Sequence, residues 1–115
     1  MAFDVMITGL AKTGETLLEL NPVPWWDSEL LLKDDRFTVS NETGSYADFD
    51  ADFTVEAMRE LHEYFRPAAT AGVYGEKEWQ KSIRPMMKEL DQALYEQADR
   101  YAHFHVNVYE WETGL

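Results

Sequence analysis

The stretch Tyr46-Ala-Asp-Phe-Asp-Ala-Asp-Phe-Thr-Val-Glu-Ala-Met-Arg-Glu-Leu-His-Glu-Tyr-Phe-Arg66 divides the chain. Residues before it read as strands. Residues after it carry helical periodicity and then one more alternating run. Thr54 is placed to cap a helix, because its hydroxyl can accept from a free backbone N–H of the first turn. Phe53 and Met58 flank that cap at the spacing of a hydrophobic staple. Val55, Met58, Leu61 and Phe65 recur at helical spacing and predict an inward stripe. Glu56, Arg59, Glu60 and Glu63 predict a solvated stripe opposite. Arg66 sits where the helix dipole favours a cation. Pro67 ends the helix, since it lacks the N–H to continue and disfavours helical geometry at the residue before it.

The surrounding composition bounds the fold. The 115 residues are the length of one domain. Hydrophobic residues make up 45% and aromatic residues 14%, which is enough for a real core and argues against wholesale disorder. There is no cysteine, so disulfide and thiolate chemistry are excluded, in keeping with a reducing compartment. No apolar run approaches membrane-spanning length. The opening Met1-Ala-Phe-Asp-Val-Met-Ile7 lacks the basic start of a secretory signal. The expectation is a soluble, cytoplasmic protein.

Charge is the strongest compositional fact. Asp plus Glu number 22 against 10 Lys plus Arg, a formal net charge of −12. A field of that sign repels nucleic acid and anionic membrane, and attracts basic partners and speeds their encounter. The plain alternative is that the charge serves solubility alone.

Upstream of the dividing stretch, residues 3–10 alternate, with Phe3, Val5 and Ile7 on one face. Lys12-Thr-Gly14 is a turn. Residues 15–20 alternate again, with Thr16, Leu18 and Leu20 together, so the two runs predict a β-hairpin. Asn21-Pro-Val-Pro-Trp-Trp-Asp27 breaks the ladder, because proline cannot donate to it. In an extended segment Trp25 and Trp26 point to opposite sides, one into the core and the other onto the surface. Residues 28–33 and 36–40 predict a second hairpin, with Phe37 and Val39 inward. Asn41-Glu-Thr-Gly-Ser45 is a loop.

Downstream, Trp79, Ile83, Met86, Met87, Leu90, Leu94, Ala98 and Tyr101 predict a long second helix over about 76–100, kinked or split at Pro85. Lys77, Lys81, Arg84 and Lys88 stripe its other side. Residues 103–111 alternate strictly, with Phe104, Val106 and Val108 on one face, and predict a closing strand. The resulting order ββββααβ predicts an α+β domain spanning 1–115. It has an antiparallel sheet of about five strands, two helices on one face, and the closing strand beside the first.

Several motifs bear on chemistry. Asp48, Asp50 and Asp52 open an EF-hand pattern, but Phe53 stands where the glycine belongs and Arg59 where the terminal glutamate belongs. The plain reading is a solvated acidic loop before a helix. His103 and His105 share a strand face and could hold two corners of a zinc site, with His62 or a carboxylate of the dividing stretch as a third ligand. The plain reading is the polar face of an edge strand. His62-Glu63 begins a His-Glu-x-x-His motif, but Arg66 replaces the second histidine. No nucleophile elbow or phosphate-binding glycine loop is present. No cofactor is implied. Trp26, Tyr109 and Trp111 are candidate aromatic anchors for a partner.

The Phe3-Asp-Val-Met-Ile7 strand, the Trp25-Trp26-Asp27 segment, the Phe37-Thr-Val39 strand and the Asp52-Phe53 lead into the Met58/Leu61/Phe65 helix give a layout spanning most of the chain. That layout resembles the small acidic immunity proteins which bacteria encode beside polymorphic or contact-dependent toxins. The resemblance implies one-to-one inhibition of a cytotoxic effector domain, often a nuclease. Those families are diverse, so the resemblance transfers no binding residues. The chain's own candidates for partner contact are Asp48, Asp50, Asp52, Glu56, Glu60, Glu63, Trp26, Tyr109 and Trp111. Two alternatives stand beside this expectation. One is a small metal-dependent domain using His103, His105 and the aspartate row. The other is a DNA-mimicking inhibitor from a mobile element.

Overall fold

The computed structural model describes residues 2–44 and 46–111, the side chain of Trp111 excepted. Five strands form one antiparallel sheet: β1 (Ala2–Leu10), β2 (Thr16–Leu20), β3 (Thr38–Thr43), β4 (Tyr46–Phe53) and β5 (His103–Trp111). Their spatial order is β2-β1-β5-β4-β3. The closing strand lies beside the first, as expected, but it is the centre of the sheet rather than an edge.

Helices cover one face. The first long one, α2 (Val55–Phe65), starts where the sequence places it, with the Thr54 hydroxyl accepting from Ala57 N–H at 3.1 Å. Met58 and Phe65 are buried on its inner side, and His62 joins them. A short helix, α3 (Ala71–Tyr74), follows. Residues 76–96 then run as one continuous helical path. It comprises α4 (Glu76–Glu78), a π turn over Trp79–Ile83, α5 (Arg84–Asp91) and a second π turn over Gln92–Glu96. The first π turn shows how the path tolerates Pro85. Arg84 N–H reaches back five residues to Trp79 O, and the wider turn precedes the residue that has no N–H to give.

The core lies between these layers. Val5, Ile7, Leu20, Ala51, Phe53, Phe104, Val106 and Val108 come from the inner sheet face. Met58, Phe65, Ile83, Leu90, Ala93 and Leu94 come from the helices. Each large aliphatic buried here contributes about 1.5–3 kcal/mol. Gly9 is fixed by close approach: a Cβ there would meet Tyr101 Cε1 at 2.5 Å and Phe104 Cε1 at 3.0 Å. The Tyr101 and Phe104 rings stack at 4.8 Å.

Several expectations are corrected, among them Val39, which is 54% exposed on β3 rather than inward. Residues 28–33 are not a strand: Ser28–Leu31 is a helical turn, α1. Asp27 Oδ1 caps it, accepting from Glu29 N–H at 2.9 Å and Leu30 N–H at 3.4 Å. The second hairpin is therefore β3–β4, so the aspartate row is strand rather than loop, and the order is ββαββ before α2. Finally, both tryptophans are buried. The chain turns at this point, with Trp26 N–H donating to Val23 O at 3.2 Å, so the alternation of an extended segment does not apply.

Candidate protein interface

Register decides which side chains share the outer sheet face. On β5 these are His103, His105, Asn107 and Tyr109, which alternate with the buried Phe104, Val106 and Val108. On β4, Asp52 stands opposite His105, Asp50 opposite Asn107 and Asp48 opposite Tyr109. On β1, Thr8, Met6 and Asp4 face the same three residues from the other side. None of the described helices lies over this face; Asp52 is exposed, and Asp48, Asp50, His105, Asn107 and Tyr109 are half-buried. The sequence offered the aspartate row and the histidine pair as separate features. The sheet puts them in contact.

The contact is a hydrogen-bonded ladder. His105 Nδ1 lies 2.8 Å from Asp52 Oδ1, and His105 Nε2 lies 2.8 Å from Asp50 Oδ1. An ionised carboxylate can only accept, so both bonds are made together in the imidazolium form, in which both ring nitrogens carry protons. Burial pulls the His105 pKa down, but the bonds to Asp52 and Asp50 outweigh it and the result is raised. Asp50 moves the other way. Burial pushes it up, and hydrogen bonds from Ser40, Asn107 and His105 bring it below the usual carboxylate value. Asn107 Nδ2 donates to Asp50 Oδ1 at 2.7 Å. His103 Nε2 stands 3.8 Å from Asp52 Oδ1.

This arrangement does not fit a metal. In the imidazolium form both nitrogens of His105 are taken up as donors to Asp50 and Asp52, whereas a ligating imidazole must offer a lone pair. Among the described residues, no group of three or more His, Asp or Glu side chains is placed to hold an ion. His62, the suggested third ligand, lies on α2 within the core. Its Nε2–H donates to Asp91 at 2.6 Å, and Arg66 holds the same carboxylate at 3.1 and 3.0 Å. The sequence did carry a signal for this burial, because His62 is four residues from Met58 and so falls on the inward stripe.

The other expected contact residues divide between surfaces. Glu56, Glu60 and Glu63 are exposed on α2, whose inner side packs on the covered face, so they point away from the aspartate row. Glu63 also accepts from the Tyr95 hydroxyl. Trp26 is 2% exposed and packs on Phe65 with ring centroids 5.3 Å apart, so it is a core residue. Tyr109 lies on the open face between Asp4 and Asp48. Its hydroxyl donates to Asn21 Oδ1 at 2.7 Å, and burial and the Asp4 charge raise its pKa. The side chain of Trp111 is outside the described residues. Lys77, Lys81, Arg84 and Lys88 are all exposed, with Arg84 resting 5.5 Å over the Trp79 ring.

No protein-family model, curated protein or solved structure matches the chain.

The open face can therefore do one thing well. It presents fixed carboxylates on a rigid sheet, held in place by β5 rather than by mobile loops. Asp50 and Asp52 are partly neutralised by His105. Among the described residues, no ion pair is made by Asp48 or Asp4, which flank Tyr109. A rigid, uncovered, acidic surface of this kind suits contact with a basic surface. Among the described residues, no helix is long and apolar enough to cross a membrane.

Proposed function

We propose that the chain is a binding protein that neutralises a basic protein partner through the open face of its sheet, by one-to-one association. The single observation behind this reading is the uncovered row of Asp48, Asp50 and Asp52 beside His105, Asn107 and Tyr109. A sheet face that no helix covers, in a protein of net charge −12, gives a basic partner both a docking plane and long-range attraction. The partner class this suits best is the cytotoxic effector domain of a bacterial toxin system, and the chain would then act as its immunity protein in the cytoplasm. If that domain is a nuclease, the carboxylate row is suited to the basic groove that holds its nucleic acid.

The test is co-expression with any toxin-like domain that the neighbouring reading frames encode, followed by stopped-flow association of the purified pair. Charge reversal at Asp48, Asp50 and Asp52 together should slow association by about ten- to a hundredfold at low salt, because steering acts on the on-rate. Unchanged rates with an unchanged salt slope would remove the open face as the contact surface. Failure of the wild-type chain to bind that domain, or to protect cells from it, would remove the immunity reading.

A further inference from the structure

All ten Lys and Arg residues of the chain, from Lys12 to Arg100, lie outside the five strands. The only cations that the side chains of the sheet can supply are therefore His103 and His105, both on the open side of β5. Asp4, Asp48, Asp50 and Asp52 share that side. Histidine is the side chain that ordinarily titrates near neutrality, so the charge of this plane changes there through its imidazoles.

His105 is the imidazole built into the contact surface. Its ring bridges Asp52 and Asp50, 2.8 Å from each, and its side chain is still 35% exposed. Those two carboxylates face it from β4, and His103 stands beside it on β5, 3.8 Å from the same Asp52 oxygen. From β1 the residue opposite is Thr8, which carries no charge. None of the described helices covers the ring. The free chain thus holds the His105 proton more firmly than water would.

A partner that brings cations to this plane acts on that proton in two ways. Its charges repel the imidazolium, and its donors compete for the same two carboxylates. Both effects favour the neutral ring. Arginine competes best, because its planar guanidinium offers a fork of donors that matches carboxylate geometry, and it does not titrate.

We propose that the open face docks its partner by proton exchange: an arginine of the basic partner takes over the Asp50 and Asp52 carboxylates, and His105 releases a ring proton to solvent. The inference rests on the reading that the partner is basic and meets this face, and adds what regulates the contact. A complex that holds fewer protons than its free components gains affinity as pH rises. Binding is therefore weakest in acid, where His105 keeps its proton even in the complex, and strengthens until pH has passed the raised folded value of His105.

The probe is a hexa-arginine peptide blocked at both ends, which has no group that titrates near neutrality. Calorimetric titration in phosphate and in Tris, whose heats of ionisation differ, counts the protons released. Ring signals of His103 and His105, with the backbone amides of β4 and β5, show where the peptide sits and which ring titrates. The peptide should bind about three- to tenfold tighter at about pH 9 than at about pH 6, and release about a quarter to a half of a proton per chain where the release is greatest. His105→Gln should abolish the release and flatten the pH profile, and His103→Gln should leave both. Binding at the β4 and β5 amides of the unaltered chain with no proton released, or a release that survives His105→Gln, would overturn the exchange while leaving the open-face reading intact. A peptide that binds without moving those amides would remove the open face as the contact surface, and the exchange with it.

Discussion

His105 allows a sharp test of the ladder that orders the open face. The perturbation is a double-mutant cycle between His105→Ala and Asp50→Asn. The His105 side chain is 35% exposed, Asp50 23% and Asp52 66%. A charge-assisted hydrogen bond at a dry site contributes about 1.5–3 kcal/mol, but solvent reaches this one, so about 1 kcal/mol is expected for His105–Asp50. The more exposed Asp52 bond contributes about 0.5 kcal/mol or less. His105→Ala should therefore cost about 1.5 kcal/mol in urea unfolding near pH 6. That corresponds to a melting temperature lower by about 4–8 °C for a domain of this size. The coupling in the cycle should be about 1 kcal/mol.

The pH dependence of that coupling follows from the two shifts. The folded pKa of His105 is raised, so its contribution is complete below the ordinary value of 6.5 and is lost as pH rises through the higher folded value. The folded pKa of Asp50 is lowered. Its contribution is complete above 3.8 and is lost as pH falls through the lower folded value. The coupling should therefore hold between about pH 4 and 6.5 and collapse on the alkaline side. A coupling of the same size at pH 9, or none at pH 6, would refute the imidazolium clamp.

Two further substitutions test the frame that holds the ladder. Gly9→Ala drives a Cβ into the Tyr101 ring and should destabilise by about 1–3 kcal/mol, as overpacking does; chemical denaturation reads this, and a neutral result would mean that the ring moves freely. Thr54→Ala removes the bond to Ala57 N–H and should cost about 1 kcal/mol, with Thr54→Ser recovering most of it.

The sequence made some elements readable because their signals are local. α2 announces itself through Thr54, the Met58–Phe65 stripe and Pro67, all within fourteen positions. β1 and β5 alternate strictly and pair side by side. Residues 28–33 carry no decisive local signal, because a short Leu-Leu-Leu run suits strand and helix equally. The deciding group was the Asp27 carboxylate, which reaches two backbone N–H groups. Aspartate is a poor strand former, so the aspartate row looks like loop from its local sequence. Its partners Ala47, Phe49, Ala51 and Phe53 alternate with it, which was the strand signal. What makes Asp50 and Asp52 tolerable in β4 is His105 and Asn107, more than fifty positions away. No local pattern carries that information.

The central place of β5 has a consequence for synthesis. β1 pairs with β2, and β4 pairs with β3, but the two hairpins meet only across β5. Ala2 pairs with Trp111, so the two halves cannot join until nearly all the described residues have left the ribosome. Until then, the β5-facing edges of β1 and β4 present unpaired N–H and C=O groups, the groups through which chains stick to one another. The sheet is built from long-range pairs, and such pairs close slowly. The aspartates of β4 then serve the nascent chain, since a row of like charges along an open edge repels a second copy of itself. His105 joins that edge last, and the strand that completes the sheet brings the cation that quiets it.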